Sequence, residues 1–278
     1  MYSSSHICDY FFGYDKENTF DKTKEGHVRS MKRYRFVDHI RGLALLSMIA
    51  YHAVWDLVNM YGWRIEWYIS EAGEIWQQSI CWTFILLSGF CWSFGQKKVK
   101  RGLIVFSGGL LITVITLLVM PQNRVIFGVL TMLGTCMLLQ SWLEPIWKRW
   151  NSIVGLLMAF LIFILLKNIN QGYIGMGEVV RIPLPKALYA NLFTTFLGFQ
   201  AENFFSTDYF SLIPWYFLFL TGYFAYRFLA EKELLGKIPN IHIAPLEWVG
   251  KHSLMIYMLH QPVVYGVLLL IYSLGQYS

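Results

Sequence analysis

The chain has 278 residues, of which 56% are hydrophobic, 18% are aromatic and only 14% are charged. Soluble domains carry about 25% charged residues, so this composition, with a mean hydropathy of +0.44, excludes an ordinary soluble domain and predicts a polytopic membrane protein. The net charge of +6 does not indicate nucleic-acid binding, because the basic residues form short clusters between apolar runs, as they do in the cytoplasmic loops of membrane proteins.

The first 30 residues are polar and lack the apolar segment of a signal peptide. We interpret residues 1–30 as a disordered tail that precedes a single transmembrane domain over residues 31–278. Met31, at the start of "MKRYRF", would also be a natural translation start.

Long apolar runs follow the tail. A helix needs about 20 apolar residues to cross the hydrocarbon core, and seven runs approach this length: 40–60, 76–95, 102–120, 125–143, 152–168, 211–229 and 252–273. An eighth run, 187–199, is shorter, and we interpret it as a re-entrant or half-spanning segment. The predicted fold is therefore all-α, a transmembrane helix bundle of about seven spans plus this short segment.

The distribution of basic residues predicts the orientation of the chain. With seven spans, 18 of the 23 Lys and Arg residues lie on one side of the membrane: those of 1–39, 96–101, 144–151 and 227–251, and Arg41. The positive-inside rule then predicts a cytoplasmic N-terminus and an extracytoplasmic C-terminus in the inner or plasma membrane. A full span at 187–199 would instead move the basic residues of 227–251 outside.

The first apolar run contains a stripe of ionisable residues. Helical geometry places four of them within an arc of about 60°: Asp38, Arg41, His52 and Asp56. Ionisable groups in a span nearly always face the bundle interior or a wet cavity, and Asp56 is placed to orient the imidazole of His52 and to tune its charge. Two alternatives stay open: Asp38 and Arg41 form only an interfacial ion pair, or His52 is a hydrogen-bonded structural histidine.

Three segments resemble motifs of the acyltransferase-3 group of membrane acyltransferases. Arg41 and His52 enclose the ten residues "GLALLSMIAY", which is similar to the arginine–histidine motif of that group's first helix. The segment "FILLSGF" (84–90) resembles its second-helix signature, and "GKHSLMIYMLHQPV" (250–263) resembles its last helix. The resemblance ties the pair of Arg41 and His52 to acyl transfer.

Two further segments resemble a related family, the catalytic domain of heparan-alpha-glucosaminide N-acetyltransferases and their bacterial relatives. "RVIFGVLTMLG" (124–134) resembles one helix of that family, and "FSTDYFSLIPWYFLFLTGY" (205–223) resembles its "DYFPLIPW…FLLG" segment. The matches to the two families follow one another in the right order along most of the chain.

The resemblance implies an integral membrane acyltransferase that moves an acetyl or other acyl group from cytosolic acyl-CoA to a hydroxyl or amine acceptor. His52 would act as a general base or as an acylated carrier; we favour the general base, with Asp56 orienting it. Arg41, with Asp38, would hold the donor, because arginine suits the anionic phosphates of CoA. Ser88 is a candidate oxyanion donor, and the alternative for Ser88 is a close-packing residue.

Four more residues are candidates for binding the acceptor, which the resemblance implies to be a saccharide or glycolipid on the extracytoplasmic side. Tyr257 and His260 share one face of the last span; the alternative for His260 is a helix-packing histidine with an interhelical hydrogen bond. Asp208 lies just before Trp215 at the end of the longest extracytoplasmic segment, 168–210. A carboxylate beside an aromatic ring suits a sugar, whereas the alternative is an interfacial aromatic belt.

The expected partners are membrane lipid, acyl-CoA and the acceptor. The sequence leaves open whether the protein forms a homodimer. No metal is expected, because the cysteines lack metal-ligand spacing. Two other functions stay open. A transporter or flippase for a lipid-linked glycan or other amphipathic substrate would also need a polar stripe, although the sequence lacks the inverted repeats of many transporters. A scaffold subunit would need His52 for folding rather than for turnover.

Overall fold

A computed structural model describes residues 34–95, 97–177, 179–239 and 241–275. Ten α-helices make up most of this described part of the chain: α1 (Arg35–Asn59), α2 (Glu66–Ile69), α3 (Glu71–Trp92), α4 (Lys98–Val119), α5 (Val129–Trp147), α6 (Ser152–Leu166), α7 (Leu192–Leu197), α8 (Leu212–Glu231), α9 (Ala244–Lys251) and α10 (Ser253–Gly275). The structure confirms the prediction of a helical fold. The predicted tail, residues 1–30, lies outside the described residues.

Five segments of the described chain are long and apolar enough to cross a membrane: Arg35–Asn59, Lys98–Val119, Val129–Trp147, Ser152–Gln171 and Ser253–Leu274. Two more of the predicted runs form α3 and α8, with 22 and 20 residues. Glutamines and tryptophans interrupt the apolar character of α3, as tyrosines and Arg227 do in α8. Five membrane helices are therefore supported by length and composition, and the count of about seven stays a prediction.

The predicted short segment 187–199 forms no long helix. It contains the end of a 3₁₀ turn, Lys186–Leu188, and the six residues of α7. At 1.5 Å per residue, α7 is about 9 Å long, far less than the roughly 30 Å of a hydrocarbon core. A small antiparallel hairpin of β1 (Tyr173–Ile174) and β2 (Ile182–Pro183) precedes it. This geometry agrees with the interpretation that 187–199 is not a full span.

The described chain divides into two compact units, and the boundary falls inside α3. The first unit contains the described residues of 34–84 and 238–275, and the second unit contains those of 85–237. The single domain predicted over 31–278 stays a prediction.

In the first unit, α1 packs against α9 through two glycines. A Cβ atom on Gly42 would lie 2.5 Å from the carbonyl oxygen of Leu246, and one on Gly250 would lie 2.1 Å from that of Asp38. Only residues without a side chain let two helix backbones approach this closely. The contact fixes α1, which carries the polar stripe, against α9.

A buried apolar cluster packs beside the stripe in the same unit. Leu45, Met48 and Ile80 are almost completely buried, and Trp76 and Tyr257 pack against them. These residues come from α1, α3 and α10. The burial of this apolar surface therefore holds the three helices together around α1.

In the second unit, α8 packs against the end of α3 through a reciprocal pair of glycines. A Cβ atom on Gly89 would lie 1.8 Å from the carbonyl oxygen of Phe219, and one on Gly222 would lie 2.0 Å from that of Leu86. In the same unit α4 packs against α5, and α6 packs against α8. The "SGF" signature at 88–90 thus coincides with a backbone contact between helices.

Candidate active site

Two histidine rings meet in the first unit. His52 lies on α1 and His260 on α10, and their ring centroids are 4.8 Å apart with an interplanar angle of 54°. His260 is buried, with 8% of its surface exposed, and His52 is partly buried. The sequence predicts both as site residues, and the structure brings them together.

A hydrogen bond fixes the ring of His260. Its Nδ1 atom lies 2.5 Å from the backbone carbonyl oxygen of Tyr257, about one turn earlier on α10. A carbonyl oxygen only accepts hydrogen bonds, so in the neutral imidazole Nδ1 carries the proton and Nε2 carries the lone pair. Nε2 is buried and has no hydrogen-bond partner among the described residues. The Tyr257 ring itself lies 5.4 Å from that of His260.

Asp56 is joined to α10 by a hydrogen bond. Nε2 of Gln261 donates to Oδ1 of Asp56 at 2.8 Å, and Asp56 is fully buried. The other carboxylate oxygen of Asp56 and the amide oxygen of Gln261 have no partner within the described ranges. Gln261 is a site residue that sequence reasoning missed, although its place beside His260 was a usable signal. The hydrogen bonds of the described residues do not include one between Asp56 and His52.

Aromatic side chains lie beside these polar groups. The ring of Tyr51 is 5.2 Å from that of Tyr68 on α2 and 5.3 Å from that of Trp76 on α3. It is also 5.9 Å from the ring of His52. Burial raises the pKa of Tyr68, and Tyr51 and the charge of Asp56 raise it further. The phenol of Tyr68 therefore stays protonated near the carboxylate.

We call His52, Asp56, His260 and Gln261 the histidine cluster. It combines two imidazoles, one carboxylate and one amide at a junction of α1 and α10. Among the described residues, no group of three or more His, Cys, Asp or Glu side chains could hold a metal ion. The chemistry that the cluster offers from its own side chains is proton transfer or nucleophilic attack by imidazole.

Asp38 and Arg41 form an ion pair on the same helix. Nη1 of Arg41 lies 3.2 Å from Oδ1 of Asp38, and the two residues are 2% and 0% exposed. The pair lies against α9, because the backbone carbonyl of Asp38 meets Gly250. Arg41 is about three helical turns from His52. A role for this pair in binding the donor stays a prediction.

Basic groups surround Glu247 on α9. His242 Nδ1 lies 2.7 Å from the carboxylate of Glu247, and three more basic side chains lie within 3.8 Å of it: Arg35, His39 and Lys251. Burial alone would raise the pKa of Glu247, but the hydrogen bond with His242 and the charges of Arg35 and His39 lower it below its usual value. This cluster ties the start of α1 to α9. Sequence reasoning missed it, since only Lys251 stands at helical spacing from Glu247.

A family model described as "Heparan-alpha-glucosaminide N-acetyltransferase, catalytic" matches residues 33–262. The match spans most of the chain and includes every residue of the histidine cluster. The chain belongs to this family. Membership implies acyltransferase activity, and with the five apolar helices it indicates a membrane acetyltransferase. No curated protein and no solved structure matches the chain.

The acetyltransferase-family match also covers the candidate residues of the second unit. Ser88 is buried next to Gly89, in the close contact between α3 and α8. The ring of Trp215 lies 5.4 Å from that of Phe163 and 5.0 Å from that of Phe210. Ser88 and Trp215 therefore both have packing contacts within the second unit. Their roles in oxyanion stabilisation and acceptor binding stay predictions.

Asp208, the third candidate in the second unit, lies at the N-terminus of α5. Its Oδ2 atom accepts a hydrogen bond from the backbone N–H of Val129 at 3.1 Å. A carboxylate at a helix N-terminus is favoured by the helix dipole. Burial nevertheless raises the pKa of Asp208 to about 6, against the lowering effect of the Val129 bond. Asp208 thus caps the N-terminus of α5. A role for Asp208 in acceptor binding stays a prediction.

We expect Asp208→Asn to remove a pH dependence of stability. A carboxyl group whose pKa is raised from 3.8 to about 6 in the folded state binds a proton more readily when folded. Its contribution to stability is therefore fully present below the unfolded pKa and is lost as the pH rises through the folded pKa of about 6. Asparagine keeps the acceptor oxygen for Val129 without the charge. The variant should therefore melt close to wild type at pH 4 and several degrees above it at pH 7, for a difference on the order of 2–3 kcal/mol.

The measurement is thermal melting of the purified protein in detergent at both pH values. Glu202→Gln is the matched control, because Glu202 is an exposed carboxylate of the same segment. A melting difference between Asp208→Asn and wild type that is equal at pH 4 and pH 7 would contradict the prediction.

Proposed function

We propose that the protein is an integral membrane acyltransferase that moves an acetyl or other acyl group from cytosolic acyl-CoA to a hydroxyl or amine acceptor. The acceptor is a saccharide or glycolipid on the extracytoplasmic side. Family membership over residues 33–262 supports acyl transfer, and the apolar helices support a membrane location.

The observation that carries the proposal is the meeting of His52 and His260 between two apolar helices. The rings are 4.8 Å apart, and each lies on a helix that is long and apolar enough to cross a membrane. Ionisable groups at such positions mark reaction or transport sites by default. An imidazole is also the side chain best suited to accept a proton near neutral pH.

Donor binding is proposed at the basic end of α1. The phosphates of CoA need cationic partners, and Arg41 stands about three turns from His52 on the same helix. With seven spans, this end of α1 is cytoplasmic and the C-terminus is extracytoplasmic, in the inner or plasma membrane. The basic groups around Glu247 lie at the same end of α1, because Arg35 and His39 belong to that cluster.

Acceptor binding is proposed at the other end of the spans. Asp56 stands one turn beyond His52, and its second carboxylate oxygen is buried without a partner among the described residues. Tyr257 and His260 contribute side chains from α10 to this proposed acceptor site. Asp208 and Trp215, in the second unit, are separate candidates for acceptor binding on the extracytoplasmic side that the seven-span topology predicts.

The test is an assay of the purified protein in nanodiscs with radiolabelled acetyl-CoA. We expect the protein to bind the donor and to release free CoA thiol, with the label appearing either on an added saccharide acceptor or as acetate. Absence of donor binding, hydrolysis and transfer would overturn the proposal. If the protein transfers no acyl group but moves an unmodified lipid-linked glycan across the membrane of vesicles, the transporter alternative would be established instead.

A further inference from the structure

We propose that Nε2 of His260 is the atom that takes the proton from the acceptor during acyl transfer. This inference rests on the proposed function and assigns His260 a catalytic role. The sequence pattern predicts His52 as the general base and His260 as a residue that only binds the acceptor. The hydrogen bonds of α10 indicate instead that His260 accepts the proton.

A backbone hydrogen bond fixes the tautomer of His260. Its Nδ1–H donates to the carbonyl oxygen of Tyr257 at 2.5 Å. Because this carbonyl belongs to the backbone of the same helix, the bond is independent of any ligand. The neutral ring therefore has its lone pair on Nε2, and a general base needs such a nitrogen held in a fixed tautomer and orientation.

The Nε2 atom of His260 lacks a partner in the part of the chain that the structure describes. It is buried and without a hydrogen-bond partner among the described residues, while 8% of the His260 surface is exposed. A buried polar atom without a partner is costly in a structural residue. A helix-packing histidine with an interhelical bond, the alternative from the sequence, would have this atom paired among those residues.

The ring of His52 is held less firmly than that of His260. Neither ring nitrogen of His52 is hydrogen-bonded within the described part of the chain, so nothing there fixes its tautomer. Its neighbours are aromatic rings, with Tyr51 at 5.9 Å and His260 at 4.8 Å. A base whose proton can sit on either nitrogen is less preorganised than one that is locked.

Acyl transfer with His260 as the base conserves its protons and bonds. The acceptor oxygen or nitrogen attacks the thioester carbonyl carbon while its proton passes to Nε2 of His260. The new C–O or C–N bond forms, the C–S bond breaks, and CoA leaves as a thiolate. The proton on His260 then passes to the thiolate, directly or through water, which regenerates the neutral imidazole and gives free CoA thiol.

The decisive variant is His260→Asn. The side-chain amide of asparagine places an N–H donor where Nδ1 stands, so the bond to Tyr257 is retained while the basic nitrogen is removed. We expect kcat to fall about 100- to 10,000-fold, with KM for acetyl-CoA within about threefold. Added imidazole should restore part of the rate, and the restored rate should rise with the fraction of unprotonated imidazole.

His260→Gln is the second variant, because it keeps a polar side chain of similar length if His260→Asn does not fold. His252→Asn is the matched control: His252 likewise contacts a backbone carbonyl through Nδ1, that of Trp248, but lies outside the histidine cluster. The control should keep wild-type kcat.

Two results would overturn the inference while the proposed function stands. One is a folded His260 variant that keeps the kcat and the pH profile of an active wild type. The other is a loss of kcat that imidazole does not rescue at any pH, which would make His260 a positioning residue. A wild type that neither hydrolyses nor transfers acetyl-CoA would instead end the proposed function, and the inference with it.

Discussion

His52→Ala is expected to lower acyl transfer by at least about 100-fold while the protein still folds. The side chain is partly buried, and its ring packs against that of His260 at 4.8 Å. Among the described residues it makes no hydrogen bond whose loss would leave a buried partner unpaired. Removal of the ring should therefore lower the rate of acyl transfer much more than it lowers the stability of the fold. The measurement is release of CoA thiol from acetyl-CoA in nanodiscs, together with melting temperature.

His252→Ala serves as the control for this prediction, because it removes a histidine of the same unit outside the histidine cluster. Full turnover by His52→Ala would contradict this prediction and would leave His260 as the only imidazole of the histidine cluster that acyl transfer needs. A variant that fails to fold would favour the scaffold alternative, and His52→Gln, which keeps a polar side chain of similar reach, would then separate folding from catalysis.

The second large effect is expected at the glycine pair of the second unit. Gly89→Leu or Gly222→Leu should prevent accumulation of folded protein. A Cβ atom on Gly89 would stand 1.8 Å from the carbonyl oxygen of Phe219, and one on Gly222 would stand 2.0 Å from that of Leu86. Overpacking against side chains costs about 1–3 kcal/mol. A clash with helix backbone should reach or exceed that range, because backbone atoms cannot rotate away.

Gly266→Leu is the matched control, since a Cβ atom at Gly266 would meet nothing within 4 Å. It places the same side chain on a membrane helix without a clash. Fluorescence-detected size exclusion of detergent extracts measures the folded fraction. Equal monodisperse yields for Gly89→Leu and Gly266→Leu would show that α3 and α8 do not pack through these glycines.

Hydropathy predicted the helical architecture well, because crossing a membrane imposes a length and a composition that a single sequence displays. Each of the seven predicted runs contains a long helix, and the run 187–199 contains only α7. The same criterion leaves α3 and α8 outside the five candidate spans. Their polar and aromatic residues are compatible with helix packing as well as with a membrane, and a hydropathy average cannot separate the two.

The candidate site was only half predictable, for a geometric reason. Periodicity within one helix grouped Asp38, Arg41, His52 and Asp56, because their relative angles follow from helix geometry alone. The pairing of His52 with His260, and of Asp56 with Gln261, joins residues more than 200 positions apart. No local pattern contains that information. Likewise, the contact of Asp208 with the N-terminus of α5 depends on a backbone N–H 79 residues earlier.

Three buried polar atoms of the histidine cluster lack partners in the described chain: Oδ2 of Asp56, Oε1 of Gln261 and Nε2 of His260. Each such atom destabilises a fold by about 1–3 kcal/mol. A small molecule that donates hydrogen bonds to them would stabilise the protein in proportion to its concentration and affinity. The melting temperature is therefore linked to occupancy of the site, and heat denaturation can rank candidate acceptors without any turnover.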